Sequence, residues 1–296
     1  MKNFFKGTAT AMITPFYKEG GVNFDAFGKM IEYQIANGTD ALVILGTTGE
    51  PSTMTADEKA AVMEFSFKKI NGRAKVIFGS GSNCTADAIA ASKKAENFGA
   101  DGLLCVTPYY NKCTQKGIVE YYKAICGAVK IPVIAYNVPP RTGVNILPAT
   151  AEELAKIPNL AGIKEACGNM EQICETMRRV RPYCDVYSGD DNLNLPILAI
   201  GGAGLISVVS NIAPKQVKKL YTLVAERNLD AANELQDTLL PLIDACFTEV
   251  NPIPVKAGCD MIGLNAGVPR APLTELEEEH KLIMRRCIEK AGIKQV

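Results

Sequence analysis

Lys164 is the residue whose setting in this sequence points most directly to chemistry. It lies in the run Asn159-Leu-Ala-Gly-Ile-Lys-Glu-Ala166, whose apolar character predicts a buried β-strand. Burial without a partner disfavours the charged form of a lysine and shifts it toward the neutral amine, which is a nucleophile. An ordinary lysine with a pKa of about 10.4 is only roughly 0.04% neutral at pH 7, and a pKa of about 8 would raise that fraction a few hundredfold. The setting favours Schiff-base chemistry on a carbonyl substrate. The alternative is that the lysine ends the strand and its amine reaches water or an acid such as Glu165.

Polar clusters follow three other predicted strands. They are Gly46-Thr-Thr-Gly-Glu50, Thr107-Pro-Tyr-Tyr-Asn111 and Tyr136-Asn-Val-Pro-Pro-Arg-Thr-Gly143. Because the carboxyl ends of the strands in a parallel barrel meet at one rim, we expect these clusters to converge on Lys164. Taken singly, each cluster also has a purely structural explanation, as a turn that caps backbone, as core tyrosines or as a surface arginine.

Together these side chains are suited to an aldol reaction. Lys164 would attack a 2-oxo acid to give an imine, and loss of a proton would give an enamine that attacks an aldehyde. Three hydroxyl groups could pass the protons: those of Tyr136, Thr47 and Tyr110. Thr47 and Thr48 could hold the carboxylate of the oxo acid, and Arg141 offers a planar fork for a second carboxylate.

Composition excludes several other classes of function. The 296 residues carry 32 basic and 32 acidic side chains, so there is no basic field to attract nucleic acid or an anionic membrane. No apolar run approaches the roughly 20 residues of a membrane span, and the first residues lack the apolar segment of a signal peptide. Ten cysteines without CxxC spacing predict free thiols in a reducing cytoplasm.

The single histidine, His280, lies in the charged stretch Glu277-Glu-Glu-His-Lys281 and is expected on the solvated surface. One histidine argues against a Ser-His-Asp triad and against a histidine-rich zinc site. An aldol reaction here would therefore depend on a lysine and not on a histidine-bound metal. Gly189-Asp-Asp-Asn192 could bind a metal, but its spacing favours the N-cap of a helix.

The order of elements predicts an α/β fold, a (β/α)8 TIM barrel with a C-terminal helical extension. Short, continuously apolar runs alternate with helical patterns eight times, as in a parallel sheet buried on both faces. The predicted strands are Thr8–Ile13, Ala41–Leu45, Val76–Gly79, Gly102–Val106, Val133–Tyr136, Ala161–Lys164, Asp185–Tyr187 and Gly204–Val208. A doubly wound sheet is the alternative, but no GxGxxG or Walker motif is present.

Helical starts are also visible in the sequence. Thr55-Ala-Asp-Glu58 is a capping box, and prolines open or end several segments. From Leu229 onward only helices are predicted, at Leu229–Val250, Ile253–Ile262 and Leu273–Ala291. We therefore expect a catalytic barrel over residues 1–228 and a helical subdomain over residues 229–296.

With these motifs in combination, the chain resembles the dihydrodipicolinate synthase family of pyruvate-dependent class I aldolases. The resemblance runs from Gly7-Thr-Ala-Thr-Ala-Met-Ile-Thr-Pro15 to Asn251-Pro-Ile-Pro-Val-Lys256, and includes Pro108-Tyr-Tyr-Asn-Lys112 and Gly162-Ile-Lys-Glu165. It implies condensation of pyruvate with aspartate semialdehyde on the route to diaminopimelate and lysine, with no metal or organic cofactor.

The resemblance also implies roles for individual residues. Lys164 matches the lysine that carries the pyruvate imine, and Arg141 the arginine that receives the carboxylate of the semialdehyde. The matched proton relay is Thr47, Tyr136 and Tyr110, and the further substrate-binding positions are Thr48, Gly189 and Ile206. The tyrosine at position 110 reaches into a neighbouring subunit in this family, so a homotetramer built as a dimer of dimers is expected.

One departure from the family pattern concerns feedback by lysine. Lysine-inhibited members carry histidines after the Gly-Thr-Thr-Gly-Glu motif and a glutamate after the asparagine matched by Asn83. Here those places hold Ala56, Lys59 and Asp87, whereas Asn83 and Tyr109 are kept. Because Lys59 would repel a cationic ligand, we expect weak or absent lysine binding at this possible allosteric site.

Three alternatives use the same barrel. N-acetylneuraminate lyase shares the lysine and the tyrosine, but usually has Gly-Ser-Thr-Gly-Glu and lacks the arginine matched by Arg141. Sugar-acid aldolases such as 2-keto-3-deoxygluconate aldolase are a second alternative. A barrel that binds an oxo acid as a regulator, without turnover, is the third.

Overall fold

Eight parallel strands form the TIM barrel that the sequence predicts. The computed structural model describes residues 4–296, and in it the strands follow chain order around a closed barrel. Their bounds are β1 Gly7–Ala11, β2 Ala41–Ile44, β3 Lys75–Gly79, β4 Gly102–Val106, β5 Val133–Asn137, β6 Leu160–Glu165, β7 Asp185–Ser188 and β8 Gly204–Ser207. Every predicted strand is found, and its ends differ from the prediction by at most two residues.

The strands are buried on both faces, which explains their continuous apolar runs. All four residues of β2 and all six residues of β6 are buried, including the lysine and the glutamate at the end of β6. A parallel sheet covered by helices outside and by side chains inside has this pattern. The polar residues at the ends of these strands are therefore exceptions that call for a functional explanation.

Helices occupy most of the remaining chain. Thr55 and Glu58 form the predicted capping box at the start of the second helix. The helices are α1 Phe24–Ala36, α2 Ala56–Ile70, α3 Thr85–Asn97, α4 Gln115–Ala128, α5 Pro139–Thr142, α6 Pro148–Ala155, α7 Met170–Val180, α8 Asn194–Ala199, α9 Pro214–Ala225, α10 Leu229–Ala245, α11 Ile253–Met261 and α12 Glu278–Lys290. Within residues 4–296, no helix is both long enough and apolar enough to cross a membrane.

All three C-terminal helices are shorter than predicted, α11 by a single residue because it ends at Met261. Helix α10 ends at Ala245 and not at Val250, and the hydroxyl of Thr248 donates to the carbonyl of this last helical residue. Helix α12 begins at Glu278 and not at Leu273, because the chain turns from Arg270 to Leu273 before the helix starts.

The single histidine is less solvated than expected. Nδ1 of His280 lies 2.7 Å from Oε1 of Glu249, and its side chain is only 24% exposed. The expectation of a solvated surface histidine therefore holds only in part, because the ring is paired with a glutamate outside the charged stretch. All ten cysteines are free thiols, as predicted.

Residues 4–296 divide into two compact units. The first comprises residues 75–206 with residues 4–6, and the second comprises residues 7–74 and 207–296. In the first unit the Cα partners of Lys164 are Tyr136 on β5 and Tyr187 on β7. In the second unit β1 pairs with β2, and Thr10 is the partner of Leu42. The predicted boundary between residues 228 and 229 stays a prediction.

Candidate active site

Lys164 is buried near the carboxyl end of β6 and lies against an aromatic ring. Its side chain is 3% exposed, and its Nζ atom lies 4.2 Å from the centre of the Tyr136 ring. Among residues 4–296, no carboxylate forms an ion pair with this amine. A lysine in this state has lost its hydration without gaining an ion-pair partner.

Burial lowers the pKa of Lys164 to about 8. The nearby Asp191 carboxylate opposes the shift, and the Arg141 guanidinium adds to it. The face of the tyrosine ring also attracts an ammonium group, by about 0.5–2 kcal/mol. A lowering from about 10.5 to about 8 corresponds to about 3 kcal/mol, at about 1.4 kcal/mol per pH unit. The cost of lost hydration is therefore larger than the attraction of the ring. About a tenth of such lysines would be neutral at pH 7, which suits a nucleophile.

Glu165 is not the counter-ion of Lys164. Its carboxylate accepts hydrogen bonds from Nδ2 of Asn137, at 2.9 and 3.2 Å, and from the backbone N–H of Cys167 at 2.9 Å. Successive side chains of a strand point to opposite faces, so Glu165 and Lys164 are separated by the sheet itself. Burial raises the pKa of Glu165 above its usual value. The alternative from the sequence, in which the amine of Lys164 pairs with Glu165, is therefore wrong.

Gly189 gives Lys164 the space that its side chain occupies. A Cβ atom at this position would lie 2.7 Å from Cε and 2.8 Å from Cγ of the lysine. Gly189 was predicted as a substrate-binding residue, and the structure adds that only a glycine fits beside the lysine. The following residue, Asp190, accepts a hydrogen bond from the N–H of Asn192, so the Gly-Asp-Asp-Asn motif caps a 3-10 turn, as its spacing favoured. In the described part of the chain, no group of three or more histidine, cysteine, aspartate or glutamate residues is arranged to hold a metal ion.

Tyr136 ends the apolar part of β5, and its hydroxyl stays protonated over the physiological pH range. The side chain is 8% exposed, and burial raises the pKa of Tyr136 to about 12. Arg141 opposes this shift, whereas Asp190, Glu165 and Asp191 add to it. A protonated phenol beside the lysine can donate to an oxygen that develops charge.

Arg141 lies on the short helix α5, which begins with two prolines after β5. Asn137 anchors this segment, because its Nδ2 donates to Asn145 Oδ1 at 2.9 Å and its Oδ1 accepts from the N–H of Ile146 at 2.9 Å. The arginine is exposed, yet its charge is felt at both Lys164 and Tyr136. The structure thus brings together three of the predicted residues: Lys164, Tyr136 and Arg141.

Tyr110 does not join them within a single chain. It is 88% exposed and has a backbone φ of +73°, a conformation that is uncommon for residues other than glycine. Within residues 4–296 its hydroxyl forms no hydrogen bond. Its backbone N–H donates to the carbonyl of Thr142 at 3.4 Å, which links its loop to α5.

Thr47 and Thr48 lie in the second compact unit, in a 3-10 turn directly after β2. The turn covers Thr47–Gly49 and is closed by the N–H of Gly49, which donates to the carbonyl of Gly46 at 2.8 Å. Thr47 is exposed, whereas Thr48 is buried and its Oγ1 accepts from Nδ2 of Asn251 at 3.0 Å.

The remaining candidates occupy varied environments. Ile206, a predicted substrate contact, is fully buried on β8. The residues of the possible allosteric site are Lys59 on α2, Asp87 exposed in the first turn of α3, Asn83 just before α3 and the 39% exposed Tyr109. These assignments stay predictions.

Sequence reasoning gave no role to a second buried lysine, Lys256. It is fully buried at the end of the apolar run Pro252-Ile-Pro-Val255 and pairs with Glu50. The signal that singled out Lys164, a lysine in an apolar run, would also have found it.

Comparisons with known proteins agree over nearly the whole chain. The sequence profile of the dihydrodipicolinate synthetase family matches residues 4–291. A 4-hydroxy-tetrahydrodipicolinate synthase of Caldicellulosiruptor bescii is 48% identical over 291 residues, which are 98% of this chain and 98% of the relative.

Solved structures of the same family are also similar to this chain over nearly its whole length. A chloride-inhibited dihydrodipicolinate synthase of Acinetobacter baumannii complexed with pyruvate is 40% identical, with a TM-score of 0.95 over 97% of this chain and 99% of that one. A monomeric dihydrodipicolinate synthase variant is 39% identical, with a TM-score of 0.96 over 98% of both chains. The similarity covers the barrel and the C-terminal helices alike.

Proposed function

This chain belongs to the dihydrodipicolinate synthetase family, and we propose that it condenses pyruvate with L-aspartate 4-semialdehyde to give 4-hydroxy-tetrahydrodipicolinate, on the diaminopimelate route to lysine. The observation that carries this proposal is the state of Lys164, which is buried and has a pKa lowered to about 8. A lyase of the class I aldolase type needs such an amine.

The first half-reaction takes place on pyruvate. The neutral amine of Lys164 attacks the ketone carbon, and the carbinolamine loses water to give an imine. Loss of a proton from the methyl carbon gives the enamine, in which the imine nitrogen accepts the electron pair. Tyr136 supports the loss of water. Its pKa of about 12 keeps the hydroxyl protonated, so the hydroxyl can donate to the departing oxygen.

The second half-reaction joins the two substrates. The enamine carbon attacks the aldehyde carbon, and the aldehyde oxygen takes up a proton to become a hydroxyl group. The amino group of the semialdehyde then attacks the imine carbon, closes a six-membered ring and releases Lys164 as the free amine. One water molecule is lost overall, at the imine step, so the atoms balance.

Proton transfer and pyruvate binding are assigned to the turn after β2 together with Tyr136. We assign Thr47 and Tyr110 to the relay, and Thr48 to the pyruvate carboxylate with Gly189 and Ile206 as further contacts. Thr47 and Thr48 directly follow the carboxyl end of β2, where TIM barrels carry their catalytic groups. These assignments rest on motif and strand position.

Arg141 is assigned to the carboxylate of the semialdehyde. Its guanidinium can form two parallel hydrogen bonds to a carboxylate, and Asn137 anchors the loop that follows its helix. Arg141→Ala should leave pyruvate imine formation nearly unchanged while lowering kcat/KM for the semialdehyde by about a hundredfold or more. Borohydride trapping and steady-state kinetics separate these effects, with Arg286→Ala on the exposed side of α12 as the matched control. Equal loss of both activities would mean that Arg141 is structural or binds pyruvate.

A homotetramer built from two dimers is proposed as the working assembly. The support is Tyr110, whose 88% exposed side chain projects from a loop and could complete the relay of a second copy. A monomeric variant exists among similar structures, so the mass in solution needs measurement by analytical ultracentrifugation. The cytoplasmic location stays a prediction from the sequence.

Weak lysine feedback is also proposed. It rests on Lys59, whose charge would oppose a cationic amino acid at the predicted allosteric position. Calorimetric titration should show no lysine binding in the micromolar range, and micromolar affinity would contradict the proposal.

The function as a whole is tested by pyruvate consumption with two acceptors. Purified protein should consume pyruvate rapidly with aspartate semialdehyde and not with N-acetylmannosamine. Consumption only with the sugar would make the chain a lyase of that sugar acid. Consumption with neither acceptor, by folded protein that still forms an imine, would favour a regulatory oxo-acid binder.

A further inference from the structure

Glu50 and Lys256 form a buried ion pair at the end of the turn that carries Thr47 and Thr48. Their side chains are 2% and 1% exposed, and Nζ of Lys256 lies 2.7 Å from Oε1 of Glu50. The second carboxylate oxygen accepts from the backbone N–H of Arg270 at 2.9 Å, and the amine also donates to the carbonyl of Val268 at 3.1 Å. Both charged groups therefore have further hydrogen-bond partners, which a buried ion pair needs to offset its loss of hydration.

This pair holds a backbone conformation that the turn would not readily adopt alone. Glu50 has a φ of +55° and lies in the left-handed region, which is disfavoured for residues with a side chain. The same residue ends the 3-10 turn Thr47–Gly49, so its backbone fixes the direction in which the chain leaves the turn. A residue in such a strained conformation is retained only when several surrounding contacts hold it there.

Two further contacts hold the turn from outside. Asn251 donates to Oγ1 of Thr48 at 3.0 Å, and the hydroxyl of Thr14 donates to the carbonyl of Gly49 at 2.8 Å. Since Oγ1 of Thr48 already accepts a hydrogen bond, its own O–H is oriented to donate elsewhere. The segment from Asn251 to Lys256 thus holds the turn at two points.

We propose that Lys256 and Glu50 are positioning residues for pyruvate. Through the segment 251–256, the ion pair sets where the hydroxyl groups of Thr47 and Thr48 stand when the carboxylate of pyruvate binds. Hydrogen-bond donors that are fixed before the substrate arrives bind it more tightly than mobile ones, because less order has to be imposed on binding. The inference rests on the proposed roles of Thr47 and Thr48, and it goes beyond them because neither Glu50 nor Lys256 touches substrate in this account.

The test compares variants of the ion pair in the full-length protein. Lys256→Met should raise the KM for pyruvate about tenfold or more, while the KM for the semialdehyde changes by less than about twofold. The matched control is Lys218→Met, which breaks the partly buried pair of Lys218 with Asp40 in the same compact unit, at the residue before β2. It should lower the urea midpoint of unfolding and leave both KM values unchanged.

A double variant separates positioning from stability. Glu50→Gln with Lys256→Met leaves no unpaired buried charge, so it should regain much of the stability that Lys256→Met alone loses. Its KM for pyruvate should remain raised, because the two neutral side chains no longer draw the turn toward α11. The double variant also keeps the inference testable if Lys256→Met fails to fold.

The results that would contradict this inference differ from those that would contradict the proposed function. An unchanged KM for pyruvate in folded Lys256→Met, or recovery of KM in parallel with stability in the double variant, would overturn the positioning role. Absence of a pyruvate imine in the unaltered protein would instead overturn the proposed function.

Discussion

Two buried lysines, Lys164 and Lys256, have nearly the same surroundings and opposite roles. Both are almost fully buried, and each Nζ atom lies 4.2 Å from the centre of an aromatic ring, that of Tyr136 or of Phe16. They differ in their polar partners: Lys256 has the Glu50 carboxylate at 2.7 Å and donates to the carbonyl of Val268, whereas Lys164 has no ion-pair partner among residues 4–296. Burial alone therefore does not make a lysine a nucleophile.

The presence or absence of a carboxylate partner determines which protonation state of the buried lysine is stable. Burial lowers the pKa of Lys164 to about 8. Burial also lowers the pKa of Lys256, but the adjacent Glu50 carboxylate opposes that shift and stabilises the ammonium form. One lysine is therefore prepared to attack a carbonyl group, and the other is prepared to remain a structural cation.

The largest expected difference is in stability. At pH 7, Lys164→Met should raise the free energy of unfolding by about 3 kcal/mol, because it removes an unpaired buried charge whose pKa lies at about 8 when folded and about 10.5 when unfolded. Lys256→Met should lower it by about 3–5 kcal/mol, because Glu50 loses its partner. Urea unfolding at one fixed protein concentration measures both changes.

The sign of this difference can be checked with pH. Between about 8 and 10.5 the unfolded chain binds more protons at Lys164 than the folded chain does, so the unaltered protein should gain stability as pH rises through this range. Lys164→Met should lack that gain. A variant that is less stable than the unaltered protein at pH 7 would mean that Lys164 has a buried counter-charge.

The next effect concerns the space around the nucleophile. Gly189→Ala would place a methyl group 2.7 Å from Cε of Lys164, so the lysine would have to move from its position beside Tyr136. We expect kcat/KM for pyruvate to fall between about tenfold and a hundredfold, since overpacking costs about 1–3 kcal/mol and about 1.4 kcal/mol corresponds to tenfold. The control is Gly127→Ala on α4, where a Cβ would meet nothing within 4 Å. Equal activity of the two variants would show that the lysine does not need this position.

A smaller effect is the pH dependence of the first half-reaction. Only the neutral amine attacks pyruvate, so kcat/KM for pyruvate should rise up to tenfold per pH unit below about 8 and level off above it. Stopped-flow measurement of imine formation tests this directly. A rise that continues to about pH 10 would indicate an unperturbed lysine.

Much of this architecture could be predicted from the sequence, because buried segments are recognisable from their local runs of apolar residues. Continuous apolar runs located all eight strands, and an apolar run containing a lysine located Lys164. The predicted end of α10 and start of α12 were wrong, because periodicity does not report local contacts such as the hydroxyl of Thr248 on Ala245 and the turn after Arg270.

The contacts that separate the two lysines could not be predicted, because they join residues distant in the chain. Glu50 and Lys256 are 206 positions apart, and the space that Gly189 leaves for Lys164 depends on the register between β6 and β7. Glu165, adjacent to Lys164, was a plausible partner in sequence but points to the opposite face of the sheet. Local patterns reveal that a charge is buried, and only the fold reveals what it faces.

Borohydride trapping in the presence of pyruvate, followed by peptide mass mapping, tests most directly whether Lys164 is the nucleophile. We expect a reduced pyruvate adduct on Lys164 and none on Lys256. Lys164→Ala should abolish labelling, whereas folded Lys256→Met should retain it at saturating pyruvate. An adduct on Lys256 or any other lysine, or labelling that persists in Lys164→Ala, would contradict this role of Lys164.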